Sequence, residues 1–387
     1  MTTSLKTIFW IIMTTALACG FLHHIVAPDV INFERLHIFL FNLVSGGTLL
    51  IYFTEDRKKL SPRGVLFLVL AILFALCAFF QWYQPTLVIP LILALIIEKV
   101  RVEHFGGWLP MALFDSNEAT SRKFHQASLL CLSLGLTISS IAILNSQFTH
   151  WFSLEKLKLD TFFLGFSFPI SLISMSVIFS LMKNHTTPTG DYLKEFSFWV
   201  INLGVIVFFL FILAGWFLPQ VFISVVLFIT VTLILYLYYR LGIRLQQKTF
   251  LTSGILFLVV TSITGIIYIL LAFSQDYDPQ RTLPLLRMHA FTALYGWNLS
   301  GLAVISRHGD FPIKLHSQKV IALHWLTVLI LCPLGYFLPV FGALAVIGYG
   351  WLLHILLFNS GQVDTGVVTM EDRVLGHNPK QSDTVTR

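Results

Sequence analysis

Two short stretches repeat one spacing: Arg35-Leu36-His37 and Arg287-Met288-His289 each place an arginine two residues before a histidine, at the start of a long apolar run. A neutral imidazole is a good ligand for iron, and two imidazoles at one depth of a helix bundle can hold a haem iron from both faces. Each of these histidines lies roughly one helical turn, ~5 Å, inside its run. Guanidinium groups near the surface suit haem propionates, because a planar fork of N–H donors matches a carboxylate. Small residues follow each histidine, Gly46 and Gly47 after His37 and Gly296 after His289, and such residues leave a flat slot between helices. Glycine pairs in membrane helices more often serve packing alone, and an arginine at an aqueous boundary extends to water without any ligand. The matched depth and repeated spacing favour the pair of axial ligands.

Positioning such a site requires spanning helices, and the composition supplies them. Hydrophobic residues make up 56% of the 387, aromatics 14% and charged residues only 11%, against about 25% charged in soluble domains. A spanning helix takes roughly 20 mainly apolar residues. Runs of that kind lie at about 7–26, 35–54, 64–82, 84–98, 126–146, 161–182, 196–218, 220–239, 250–273, 286–305, 320–339 and 341–358. The chain therefore reads as an all-α, polytopic membrane bundle of about twelve helices. The first run lacks a small-residue cleavage site and reads as a retained helix. With the N-terminus inside, only Arg35, Lys156, Lys158, Arg281 and Arg287, five of the 25 basic residues, fall outside. That bias places both termini in the cytoplasm. Residues 1–360 form the membrane domain and 361–387 a polar cytoplasmic tail. The formal charge of +6 reflects basic loops facing anionic lipid and needs no nucleic-acid partner.

Charges that touch the runs (Glu34, Arg35, Glu98, Asp160, Glu195, Arg287) cluster at their ends. Ion-coupled transporters usually place an ionisable group near the midplane, so the pattern counts against that class. Segment 99–125 is expected to be the longest loop and 147–160 an amphipathic external loop. His324 and His354, in the last two runs, are expected to face each other near the inner side, as a second haem, copper or quinone site or as a hydrogen-bonded structural pair. His23 and His24 read as polar residues where the first helix leaves the bilayer. Cys19, Cys77, Cys131 and Cys332 have no paired spacing and read as small buried residues. Asn42, Asn202 and Asn298 suit interhelical hydrogen bonds, Tyr295 suits a small-molecule pocket or packing, and Pro169 and Pro333 are expected to kink their helices.

Twelve runs with histidines near the outer ends of the second and tenth resemble haem-copper oxidase subunit I, where those positions hold the low-spin haem. The stretch from His289-Ala290-Phe291-Thr292 to Tyr295-Gly296, continuing through Ser306-Arg307-His308-Gly309, resembles the late helix and loop of NnrS-type proteins. That family is described as membrane proteins with haem and copper, linked to nitric oxide. Spans six and seven lack the histidines that hold copper in the oxidases, and Arg287 stands where their span ten has a further histidine, so the resemblance does not extend to an oxygen-reducing centre. Only His37 stands where the NnrS pattern has a histidine pair.

The resemblance implies an inner-membrane protein with haem b on His37 and His289, acting in electron transfer or in the response to a diatomic gas. Copper is allowed but nothing in the residues supports it. Membrane lipid and a quinol or respiratory-chain protein are the partners implied. The alternative is a cofactor-free twelve-helix transporter of a small neutral or lipophilic solute. An assembly factor with purely structural histidines is a third reading.

Overall fold

The computed structural model describes residues 1–26, 33–151, 155–183, 187–274, 277–308 and 315–359, with backbone only at 34, 35, 155–164 and 279. The polar tail 361–387 and part of the 147–160 loop lie outside these residues. Among the described residues there is no strand; one isolated antiparallel bridge joins Met182 to Gly242.

The described residues form helical rods, which we number in chain order. They are α1 (Thr3–Phe21), α2 (34–54), α3 (Pro62–Phe79), α4 (Tyr83–Phe105), α5 (Thr120–Thr149) and α6 (Glu155–Ser180). Then follow α7 (Pro188–Ala214), α8 (Phe217–Leu241), α9 (Gln247–Ala272), α10 (279–306), α11 (Gln318–Phe337) and α12 (Pro339–Phe358). Nine of them are long and apolar enough to cross a membrane. The other three are α4, with a charged end, and α6 and α10, which pack against rods on several sides. The C-terminal half of α10, from Leu294 to Ser306, is buried throughout, so lipid does not select its composition.

Two expected boundaries move. The helix of α4 runs on to Phe105, past the expected end at 98, and α5 begins at Thr120, which shortens the loop to 106–119. The added turns hold their charges internally: Arg101 donates to Glu98 (2.8 Å) and to the carbonyl of Trp108 (2.7 Å), and Lys123 pairs with Glu195 (2.6 Å). A charged side chain so satisfied no longer needs a loop to reach water. Helix also occupies 145–149 and restarts at Glu155, where an external loop was expected.

Neighbour relations give three five-membered rings that share a central triad. The triad is α2, α6 and α10. One ring is α2–α3–α4–α5–α6, the second α6–α7–α8–α9–α10, and the third α10–α11–α12–α1–α2. Polar and small residues join the triad. Asn298 of α10 donates to Ser167 Oγ of α6 (3.1 Å) and reaches Asn42 Oδ1 of α2 (3.5 Å), while Trp297 donates to Ser171 (2.6 Å). Interhelical hydrogen bonds of this kind fit Asn42 and Asn298 as the sequence suggested. Asn202 instead bonds within its own helix, to the carbonyl of Phe198. Gly301 receives Ser174 of α6, with no room for a methyl group.

Three rods are wound as π-helix where they meet near the third ring: 39–47 in α2, 292–298 in α10 and 326–331 in α11. Winding of this kind is rare and recurs at functional sites, since it shifts the backbone ladder by one residue and re-aims side chains. Pro333 follows directly on the α11 segment.

Candidate functional site

Several buried polar groups without a hydrogen-bond partner line the third ring, while others, such as Gln126 of α5 and Tyr238 of α8, lie elsewhere. His37 is buried, and neither Nδ1 nor Nε2 has a hydrogen-bond partner. The hydroxyls of Tyr295 on α10, Tyr349 on α12, Thr327 on α11 and Thr14 on α1 are likewise buried and unpartnered. Buried polar side chains are normally hydrogen-bonded, and each exception calls for an explanation such as a ligand. Here five exceptions come from the five rods of one ring.

The rings of Tyr295 and His37 have centroids 6.4 Å apart, and Tyr295 also touches Phe41 (4.9 Å) and Tyr349 (5.2 Å). Gly20 of α1 stands beside His37: a side chain there would meet only His37 Nδ1, at 3.6 Å. Phe21 and Phe291 stack across the ring at 5.6 Å. Close approaches of Gly335 to Gly342 and of Gly348 to Thr327 bring α11 and α12 together. The walls are thus hydrocarbon, with isolated imidazole and hydroxyl groups between them.

His289 turns elsewhere. Its Nδ1 lies 3.0 Å from the carbonyl of Thr261 and 3.3 Å from Thr264 Oγ1, both on α9, and Gly265 of α9 leaves room for its ring (3.1 Å to Cε1). A carbonyl only accepts, so Nδ1 carries the proton and Nε2 keeps a lone pair, the tautomer a metal ligand needs. Phe291, two residues on and roughly 200° around the helix, takes the side that faces α1. Among the described residues no hydrogen bond or ring contact joins His37 to His289. The two rods touch deeper in, at Asn42 with Asn298 and Phe41 with Tyr295.

The expected slot glycines serve packing. A Cβ on Gly46 would meet Ile170 at 2.7 Å, one on Gly47 Phe67 at 2.9 Å and one on Gly296 Phe257 at 2.6 Å. Each glycine therefore admits a side chain of a neighbouring rod. Arg287 lies over the ring of Tyr336 (5.6 Å); the Arg35 side chain lies outside the described residues. His23 and His24 accompany them on that end, bonding the carbonyls of Tyr336 (3.1 Å) and Gly335 (2.7 Å) in the last turn of α11.

His324 and His354 do not face each other. His324 is buried against Phe250 and Phe257 and donates through Nε2 to the carbonyl of Tyr295 (2.7 Å), inside the π-wound segment. His354 is exposed and stacks on Trp351 and Phe358. The residues that sequence reasoning missed, Tyr349, Thr327 and Thr14, carry no local signal; only the ring closure of α1 with α12 assembles them. Among the described residues no group of three or more His, Cys, Asp or Glu is placed to hold a metal ion, and the four cysteines are unpaired.

No protein-family model, curated protein or solved structure matches this chain.

Proposed function

We propose that this chain is an inner-membrane protein of twelve spans, with both termini cytoplasmic, that holds a b-type haem in its third ring and serves electron transfer or the response to a diatomic gas such as nitric oxide. One observation carries the reading. His37 is buried with both ring nitrogens unpartnered, which in a hydrocarbon setting leaves a costly polar group without compensation. Holding a haem iron would supply that compensation.

The residues present fit a haem carried by His37. The His37 imidazole is buried beside Tyr295, which packs on Phe41, the Tyr295 and Tyr349 hydroxyls offer O–H donors in an otherwise apolar wall, and Arg287, at the end of the ring near Tyr336, is the cation suited to a propionate, with Arg35 as its counterpart in the sequence. His289 is held through Nδ1 on α9, in the second ring, and among the described residues no hydrogen bond or ring contact joins it to His37, so the reading rests on His37. A b-type haem held there would supply a one-electron iron couple and, where the iron is accessible, a place for a diatomic gas. If His37 alone held the group, a diatomic gas could reach it and gas response would be favoured. Electrons, where they are needed, come from quinol or a respiratory-chain protein.

The test is the dithionite-reduced minus oxidised spectrum of detergent-purified protein from haem-replete cells, with a pyridine haemochrome assay. A b-type α-band at one haem per chain is expected. Protein free of haem under those conditions overturns the reading.

A further inference from the structure

We infer that the basic end of α8 and α9 is a binding site for one anionic phospholipid, with the headgroup phosphate in a cleft between the rods and the acyl chains along α8. The inference is independent of the haem reading.

The cleft is open to the surface, measures about 530 Å³ and is lined by Tyr239, Arg240, Leu241, Arg244 and Lys248, a size ample for a glycerophosphate group. Three cations share it, and among the described residues none of them has a carboxylate within ion-pair distance. Elsewhere in the molecule Arg63, Arg101, Arg122, Lys123 and Lys194 are each paired with an acidic side chain. A concentration of unpaired positive charge at a helix junction has an anion as its natural complement.

The cleft is built before any ligand arrives. Lys248 Nζ donates to the carbonyls of Tyr239 (3.1 Å) and Gly242 (2.9 Å), which fixes the ammonium and leaves one of its three N–H groups free. The turn that carries Arg244 is pinned to the end of α6 by Lys183 N to Leu241 O (3.0 Å) and Ile243 N to Leu181 O (2.9 Å). Gly242 allows that turn, since a Cβ there would collide with the carbonyl of Tyr238.

What makes the ligand a lipid is the surface that leads into the cleft. Leu218, Phe222, Val225, Ile229, Tyr236 and Tyr239 recur at helical spacing on α8 and are between 38% and 75% exposed. They form one apolar stripe that runs the length of the rod, ends in two tyrosines and meets Arg240 on the next residue. Tyrosines at the end of such a stripe mark the interface level, and basic pockets between helices at that level take anionic headgroups.

The experiment is native mass spectrometry of the full-length protein in detergent, titrated with phosphatidylglycerol or with phosphatidylcholine of the same chains, and separately with inorganic phosphate. The wild type is expected to retain one phosphatidylglycerol in preference to phosphatidylcholine, and millimolar inorganic phosphate is expected not to displace it. The Arg240→Gln/Arg244→Gln variant should bind phosphatidylglycerol roughly thirtyfold more weakly with an unchanged melting temperature. Lys58→Gln/Lys59→Gln, in another basic loop, should bind as the wild type does. The charge-preserving Arg240→Lys/Arg244→Lys variant covers the case of a misfolded glutamine variant and should keep the preference. Equal retention of the two lipids, displacement by inorganic phosphate, or full binding by a folded glutamine variant overturns the proposal.

Discussion

Asn298 on α10 donates its side-chain amide to Ser167 on α6 (3.1 Å), and the same amide reaches Asn42 on α2 (3.5 Å). The three rods that the rings share thus meet at one polar side chain. An interhelical hydrogen bond within a membrane bundle is worth about 0.6–2 kcal/mol, and leaving buried partners unsatisfied adds to the loss. Asn298→Leu should therefore lower stability by about 2 kcal/mol. Thermal unfolding in detergent, followed by circular dichroism, checks this; an unchanged melting temperature would show that the triad is held by packing alone.

The haem reading separates the two histidines that the sequence treats alike. His37→Ala should abolish the b-type α-band. His289→Ala should retain it, because that imidazole lies against Thr261 and Gly265 of α9, in the second ring. Carbon monoxide added to the reduced wild type should shift the Soret band, as expected of one-sided ligation. Loss of the band in both single variants, with no carbon monoxide shift, would instead establish clasping by two imidazoles.

Lys123 is almost fully buried and pairs with Glu195 at 2.6 Å, and Glu195 also accepts from Trp199 Nε1 (2.8 Å). Removing one partner of a buried pair costs about 3–5 kcal/mol, whereas replacing both with apolar groups is often neutral. Glu195→Leu should accordingly destabilise strongly and Lys123→Met/Glu195→Leu should recover most of the loss. A double-mutant cycle on melting temperature reads the coupling; additive losses would show that the pair is of no consequence.

Arg307 is buried and donates to the carbonyls of Leu356 (3.1 Å), Leu357 (2.9 Å) and Asn359 (3.2 Å). These are among the last carbonyls of α12, which have no partner within the helix. Arg307→Leu should fray that end, raising hydrogen exchange over residues 352–359 with little change elsewhere. Unaltered exchange there would contradict a capping role.

Much of the architecture is legible in the sequence because apolar runs of spanning length are an additive property of the chain, and the rods fall where those runs do. The ends of α4 and α5 are not, since Arg101 and Lys123 look like loop charges until Glu98 and Glu195 are seen beside them. The facing of His289 is hidden for a different reason. Depth along a helix can be read by counting residues, but direction around it depends on regular winding and on which neighbour is adjacent. The π-wound segments 39–47 and 292–298 break the first condition, and ring closure decides the second. The glycines show the same limit: nothing in Gly46-Gly47 says that Ile170 and Phe67 will fill the space they leave.

Gly135 of α5 and Gly165 of α6 bring two backbones into contact, with a would-be Cβ on Gly135 only 2.6 Å from the carbonyl oxygen of Gly165. Gly135→Leu should be among the most damaging single changes, costing about 1–3 kcal/mol or more, while Gly106→Ala, at φ 77° and ψ 149°, a backbone region open essentially to glycine alone, should cost about 1–3 kcal/mol from strain even with open space around it.

That same contact has a mechanical side. No side chain lies between the two backbones to act as a bearing, so α5 and α6 cannot slide past each other by a helical step and travel as one strut. Motion between rods is thus hindered at this contact, and rods without such a backbone contact are freer to shift.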